Sequence, residues 1–374
     1  MKVVLAGGGT AGHVNPLLAT AKALTERGID VCAIGTEEGL EAELVPAAGI
    51  EFFEIPRVPL PRRIGKGLFE FPGKYKGAVA RAGQVLDEAG AAVAVGFGGF
   101  ASTPLYAAAR KRSLPFVVHE QNVKPGLANR YGARKAAVVA LTFRSTRLSA
   151  SSGATRVVGL PLRQKIADLA ALRDDAEARG SAHVAAAEEL GVDPALPTLL
   201  VTGGSLGAKH LNDVLVQAAP AFDEAGIQVL HLTGRGKDGP VRKASAKAAN
   251  YRVIDYLTEM ELAYAVADLV LCRSGAGTVA ELAALGIPGY FVPLPIGNGE
   301  QEKNAAEAVR AGGARLVRDR DFSLKNVTDE IIPLVLDGDR LAAMSTALSE
   351  LMPVDADRRL AQLIEEITRS LGAE

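Results

Sequence analysis

The sequence predicts an α/β protein made of two doubly wound, parallel-sheet domains. Three observations carry this expectation. Short apolar runs of strand length alternate with helix-period segments along nearly the whole chain, the pattern of repeated βαβ units. Each half opens on a strand, a glycine-rich turn and a helix: AGGGTAGH at residues 6–13 and TGGSLGA at 202–208. Each half later carries a strand, a small-residue turn, a helix, a proline and a strand: VGFGGFASTPLYAAARKRSLPFVV at 95–118 and LCRSGAGTVAELAALGIPGYFV at 271–292. The similarity is one of pattern, not a strict repeat. In sheets of this kind the turns at the C-terminal strand ends form the ligand crevice. The two Rossmann-like domains are therefore expected to face each other across a cleft lined by all four turns.

Composition sets the limits. The 374 residues allow two or three domains, and 48% hydrophobic with 23% charged residues describes a globular chain with real cores. Lys and Arg total 42 against 43 Asp and Glu, a net charge of −1, which argues against a nucleic-acid partner. The two cysteines, Cys32 and Cys272, sit in apolar strand-like runs and read as buried small hydrophobes in a reducing compartment, not as a disulfide or metal pair. No apolar run approaches the roughly 18 residues of a membrane span. MKVVLAGGG reads as a first strand broken by glycine, not as a signal peptide.

Within the first domain, residues 1–162, Val3–Ala6 is a buried strand running into Gly7-Gly8-Gly9-Thr10-Ala11-Gly12-His13. Asn15 is expected to cap a helix with Pro16 in its first turn and Gly28 at its end. Further strands are expected at Val31–Ile34, Phe52–Ile55, Ala92–Val95, Phe116–His119 and Val138–Leu141, with Val157–Pro161 as the last. The first turn is not GxGxxG, and Gly35-Thr36 stands where a dinucleotide site wants an acid, so a dinucleotide is not expected. Arg57 to Arg81 reads as an exposed loop in which Arg62, Arg63, Lys66, Lys74 and Lys76 interleave with Phe69, Phe71 and Tyr75. Two readings stand side by side: a solvated connection with a few core anchors, or a membrane-surface contact.

The second domain, residues 163–352, begins with a charged, Ala-rich helical stretch, Ile166 to Leu190. Strands follow at Thr198–Thr202, Val229–Leu232, Arg252–Ile254, Leu269–Cys272 and Gly289–Val292. A helix is expected over Thr278–Leu285, stopped by Gly286, and another starting at Glu300-Gln301. A strand feeding a small-residue turn and a helix N-terminus suits an anion, because free N–H groups and the helix dipole point the same way. The last helix pattern, within 353–374, has no strand of its own and is expected to pack back on the first domain.

The segments GGGTAGHVNP, GFGGFAS, HEQN, GLPLR, GGSLGA, CRSGAGTVAEL and GEQEKNA lie in this order from the N-terminus to about residue 305. Together they resemble the GT-B glycosyltransferases, and among them those that complete the lipid-linked disaccharide of peptidoglycan. The resemblance implies transfer of N-acetylglucosamine from UDP-GlcNAc to the 4-hydroxyl of a polyprenyl-diphosphate-linked N-acetylmuramyl-pentapeptide. UDP-GlcNAc is then a substrate, and no cofactor is implied. It also implies a peripheral enzyme at the cytoplasmic face of the bacterial membrane, working beside cell-wall synthesis and division proteins.

Site residues follow from the matching positions. The resemblance makes His13 the catalytic base for the acceptor hydroxyl, a role suited to an imidazole titrating near neutrality. The bland alternative is a helix cap or loop hydrogen bond. Gly8, Gly9 and Gly12, with Thr10, are implied to present N–H groups to the acceptor diphosphate, with Thr10 also reaching the donor. Phe100 and Glu120 belong to the acceptor side, and Asn122 to the donor sugar or the acceptor. His119, ending a buried strand, reads as structural. For the donor, Arg163 is implied to reach UDP-GlcNAc, Gly204 and Ser205 to hold the phosphates, and Leu257 to read the uracil edge with Met260 nearby. Ser274, Gly275 and Thr278 form the second anion turn, Glu281 binds the ribose hydroxyls, and Gln301 bonds the sugar, with Asn304 supporting its loop. For Glu281 the residues also allow a capping box with Thr278. The basic-aromatic residues Arg62, Arg63, Lys66, Phe69 and Phe71 become the membrane contact.

Three positions depart from the family. Leu206 and Glu300 stand where Gln is frequent, and Phe100 where Tyr is frequent. The Ala-rich segment around 172–187 is long for the family. The expected reaction is a single inverting displacement with oxocarbenium character. No Asp-x-Asp pair is placed to hold a metal on the diphosphate, so no metal is expected. The rivals are a UDP-GlcNAc 2-epimerase, a non-catalytic UDP-sugar binder, and a transferase of the same fold acting on another acceptor.

Overall fold

The computed structural model describes residues 2–59, 66–204, 207–296 and 299–371. It divides into two compact units, residues 1–163 with 355–374, and residues 164–354. The first is built on a seven-stranded sheet: β1 (Lys2–Ala6), β2 (Asp30–Gly35), β3 (Glu51–Glu54), β4 (Ala91–Gly96), β5 (Phe116–Glu120), β6 (Val138–Leu141) and β7 (Ala154–Val157). All pairs are parallel, in the order β3-β2-β1-β4-β5-β6-β7. The central strands are Val- and Ala-rich because helices cover both faces. Val4, Ala6, Ile34 and Ala94 face one core with Leu105 and Tyr106. Val3, Leu5, Ala33 and Val95 face the other with Leu17 and Leu24. The helix Ala356–Leu371 joins this second core through Leu360, Ala361 and Ile364, and its Glu365 pairs with Arg27 at 3.0 Å.

The second unit carries a six-stranded sheet: β8 (Thr198–Thr202), β9 (Gln228–Leu232), β10 (Tyr251–Ile254), β11 (Leu269–Cys272), β12 (Gly289–Phe291) and β13 (Ala314–Leu316). Its order is β10-β9-β8-β11-β12-β13, again all parallel. In each sheet the strand order reverses once, between β1 and β4 and between β8 and β11. That switch point is where an open α/β sheet leaves room for a ligand.

Several local expectations are corrected. The first helix spans Ala11–Thr25 and begins four residues before Asn15. Thr10 is extended and takes the N-cap position, its carbonyl accepting from His13 and Val14. Residues 158–161 are not a strand, and β7 ends at Val157. From Lys66 onward the basic-aromatic stretch is not a loop but a 23-residue helix, Lys66–Glu88. Val79, Ala82, Val85 and Leu86 recur at helical spacing and bury one face in the core, which anchors the helix despite Pro72. Arg62, Arg63 and the rest of residues 60–65 lie outside the described residues, as does the side chain of Lys66. The Ala-rich segment forms the helix Ala176–Leu190, capped by Asp175, whose carboxylate accepts from Glu177 and Ala178, and closed by Gly191.

Candidate active site

In the first unit the site is built at the ends of β1 and β4. The turn Gly7-Gly8-Gly9 leads directly into the helix Ala11–Thr25, so His13 lies in the first helical turn. Its Nδ1 is 3.1 Å from Gly8 O and 3.2 Å from Thr10 Oγ1. A carbonyl only accepts, so this contact places the proton on Nδ1 and leaves the lone pair on Nε2. Burial lowers the His13 pKa, while the Gly8 carbonyl and the charge of Glu41 raise it. The second turn interlocks with the first. A Cβ at Gly99 (φ +82°) would stand 2.4 Å from Gly8 O, so only glycine fits there. Ser102 Oγ accepts from Gly98 N at 2.9 Å and lies 3.0 Å from Ala6 O, tying the β4 turn to the end of β1. Phe100 is partly exposed, with the Arg57 guanidinium 4.8 Å from its ring centre.

Two acceptor expectations change. Gly9 N–H is occupied: it donates to Glu41 Oε2 at 2.9 Å. Thr10 and Gly12 remain exposed at the mouth of the turn. Glu120 is buried, and its carboxylate accepts from Asn122 N (2.9 Å), Gly126 N (2.9 Å) and Asn129 Nδ2 (3.0 Å). Burial pushes its carboxyl up against those bonds. It organises the turn that carries half-buried Asn122 and faces away from solvent. His119 is also buried, bonded to Gly159 O and Gln121 Nε2, with its pKa lowered to about 4 by burial.

In the second unit, Gly204 (φ +81°) is exposed in the turn after β8, and Ser205 and Leu206 lie outside the described residues. The turn after β11 leads into the helix Ala276–Leu285, whose N-cap is Gly275. Thr278 is therefore inside the helix, which removes the capping-box alternative for Glu281. Glycine at the cap supplies no side-chain acceptor to the first amides. Glu281, in the second turn, accepts from Tyr264 OH at 2.8 Å. That bond draws the helix Met260–Ala265, which follows half-buried Leu257, onto the helix Ala276–Leu285. Ser274 is buried and donates to Gln301 O at 3.0 Å, and Gln301 Oε1 accepts from Leu294 N at 2.9 Å. These two bonds tie the start of the helix Glu300–Arg310 to Ser274 and to Leu294, just beyond β12. Glu300 is exposed at the start of that helix, and Asn304 is buried. Arg163 closes the first unit, half-buried. Among the described residues no group of three His, Cys, Asp or Glu side chains stands close enough to hold a metal ion.

Two family models match the chain: the N-terminal domain of glycosyltransferase family 28 over residues 3–141, and its C-terminal domain over residues 198–361. The chain belongs to glycosyltransferase family 28. This family-28 chain is 49% identical over 370 residues to the UDP-N-acetylglucosamine–N-acetylmuramyl-(pentapeptide) pyrophosphoryl-undecaprenol N-acetylglucosamine transferase of a Nocardioides species, covering 98% of each. It is 46% identical over 368 residues to the protein of the same name from Streptomyces coelicolor, again 98% of each. Among solved structures it is similar to Acinetobacter baumannii MurG, with TM-score 0.76 and 27% identity over 98% of this chain and 99% of that one. The UDP-GlcNAc 2-epimerase of Neisseria meningitidis shares the fold alone, with TM-score 0.69 at 12% identity, covering 99% of this chain and all of that one.

The family-28 site also contains residues that sequence reasoning passed over. Glu41 is buried beneath the first turn and accepts from Gly9 N, Thr36 N and Thr36 Oγ1 at 2.9–3.0 Å. Its signal was faint, one acid among Glu37, Glu38, Glu41 and Glu43. Tyr264, Ser102 and Asn129 are the other three. Each orients a named site element through a single side-chain bond or a small set of them.

Proposed function

We propose that this family-28 enzyme is a UDP-GlcNAc-dependent N-acetylglucosaminyltransferase that converts the lipid-linked MurNAc-pentapeptide into the lipid-linked disaccharide of peptidoglycan. One observation carries the reading: 46–49% identity to curated transferases of that name over 98% of both chains. The geometry is suited to the chemistry. The acceptor 4-hydroxyl attacks the anomeric carbon, the new C–O bond forms on the face opposite UDP, and the bond to UDP breaks with its electron pair leaving on the diphosphate. His13 Nε2, with its lone pair exposed by the Nδ1 contact to Gly8 O, takes the hydroxyl proton. The amides at the start of the helix Ala276–Leu285, the β8 turn at Gly204 and Ser205, and the Arg163 guanidinium stabilise the leaving diphosphate. Glu281, held by Tyr264, takes the ribose hydroxyls, Leu257 and Met260 the uracil, and Gln301 the sugar. Thr10 and Gly12 meet the acceptor diphosphate, and Asn122 and Phe100 flank the acceptor.

The same reading puts the enzyme on the cytoplasmic face of the bacterial membrane, in cell-wall biogenesis that bears on cell shape and division. Phe69, 83% exposed on the helix Lys66–Glu88, and Phe71, stacked on Tyr75 at 5.7 Å, support a surface contact, to which this reading also assigns Arg62, Arg63 and Lys66. Among the described residues no helix is long and apolar enough to cross a membrane.

The deciding experiment measures UDP release from UDP-GlcNAc with and without a lipid-linked MurNAc-pentapeptide analogue, in EDTA, beside His13→Ala. We expect release only with acceptor, insensitive to EDTA because protein dipoles and Arg163 carry the leaving charge. In His13→Ala it should fall by about 100-fold or more, the usual scale of a lost general base. Release without acceptor indicates a hydrolase or an epimerase instead.

A further inference from the structure

The strands β8, β11, β12 and β13 are consecutive in the second sheet, and one carboxylate gathers the segments that leave them. Asp319 opens a single 3-10 turn, Asp319–Asp321, just beyond β13. Its Oδ1 lies 2.5 Å from Arg273 Nη1, and its Oδ2 lies 3.2 Å from His210 Nδ1. Arg273 directly precedes the Ser274-Gly275 turn, and its Nη1 also reaches Val292 O at 2.9 Å and Pro293 O at 3.1 Å. His210 stands in the first turn of the helix Lys209–Gln217, which follows the β8 phosphate turn, and its ring meets Phe322 edge-on at 6.2 Å. The Asp319 and Arg273 side chains are only 14% and 11% exposed. The Arg273 contact is an ion pair with no hydrogen bond at Asp319 Oδ1, whereas His210 Nδ1 is within hydrogen-bond distance of Oδ2. Removing one charge of so sheltered a pair strands the other.

We propose that Asp319 is a positioning residue for the nucleotide-sugar donor: through His210 and Arg273 it sets the start of the helix Lys209–Gln217, the Ser274-Gly275 turn and the segment Val292-Pro293 in mutual register. Asp319 itself does not touch the donor. Its effect reaches the sugar end through Ser274, bonded to Gln301 O, and through Leu294 N, bonded to the Gln301 side chain. The inference rests on the reading of these turns as the UDP-GlcNAc site.

The test is isothermal titration of UDP-GlcNAc into the full chain and into Asp319→Asn and His210→Gln, with donor KM and kcat measured alongside. Asp319→Asn keeps the shape and loses the charge. We expect its Kd and donor KM to rise about tenfold, with kcat at saturating donor within about threefold of the parent. His210→Gln cuts one arm on a partly exposed side chain and should raise Kd by a smaller factor, about threefold. Asp319→Glu, which restores the charge, should recover part of the affinity. An unchanged Kd in Asp319→Asn overturns the proposal, even where the melting temperature falls, because that result marks a purely structural role. If Asp319→Asn does not fold, an unchanged Kd in His210→Gln overturns it. Failure of the parent chain to bind UDP-GlcNAc instead overturns the donor assignment on which the proposal rests.

Discussion

His13 and Glu41 form a unit that neither residue forms alone. The imidazole is oriented by Gly8 O, and the turn carrying that carbonyl is pinned from below by the Glu41 carboxylate through Gly9 N–H. Burial lowers the His13 pKa from its ordinary 6.5, and the charge of Glu41 is one of the two influences that oppose the fall. A base must be deprotonated to act, so activity should decline as pH drops through the His13 pKa, below 6.5. Glu41→Gln removes the charge and should move this acidic limb to still lower pH. It should also reduce kcat about tenfold, because bonds to a charged acceptor contribute about 1.5–3 kcal/mol each and the turn loosens without them. A pH–rate profile of the variant checks both, and an unmoved limb would mean that Glu41 acts on backbone shape alone. Histidine in a glycine turn was legible as a residue of interest. Glu41 was not, because Glu37, Glu38 and Glu43 are chemically identical neighbours and only packing decides which one turns inward.

Helices changed more than strands did. The strands were readable because a parallel sheet covered on both faces demands unbroken apolar runs such as VVLA and LVLC. Helix ends were less so. Asn15 has good capping chemistry, yet extended Thr10 takes the N-cap four residues earlier, and this carries His13 from a loop into a helix. The helix Lys66–Glu88 hid behind Pro72, Gly67, Gly73 and Gly77, residues that ordinarily break helices. Its buried alanines and valines hold it against that cost. The exposed Phe69 side chain near its start gives a test of membrane contact. Burying a phenylalanine stabilises by about 1.5–3 kcal/mol, so Phe69→Glu should weaken sedimentation with anionic vesicles by about tenfold or more. UDP-GlcNAc affinity should remain unchanged, and vesicle binding equal to that of the parent would exclude Phe69 from the contact.

Across the whole molecule, each unit buries a histidine on a strand of its sheet, His119 on β5 and His231 on β9. His119 is depressed to about 4 and His231 to about 3, both by burial. Their folded pKa values lie below the unfolded 6.5, so the unfolded chain binds protons first. Stability is full above about pH 6.5 and should be lost as pH falls toward 4 for the first unit and 3 for the second. For His119 alone the shift from 6.5 to about 4 corresponds to about 3 kcal/mol. Melting temperatures between pH 7.5 and about pH 4.5 check this. His119→Gln should flatten the slope over that range, at some cost to stability at neutral pH because the Gly159 O and Gln121 bonds change.

Period and punctuation in the sequence by themselves determined the α/β class and the two sheets, and the resemblance of its motif segments implied the family. These are local properties: apolar runs set strands, and glycines at strand ends set turns, at Gly99 one where a Cβ would collide with the neighbouring turn. Tertiary structure alone decided which polar groups those turns keep for themselves. Gly9 N–H goes to Glu41, the Glu120 carboxylate to the Asn122 and Gly126 amides and to Asn129 Nδ2, Ser274 to Gln301, and Asp319 to Arg273 and His210. The partners in these pairs lie from 2 to 109 positions apart in the chain. The Glu120 bonds are local, but the long-range pairings follow from which segments the folded sheet brings together, and a one-dimensional pattern does not contain that adjacency.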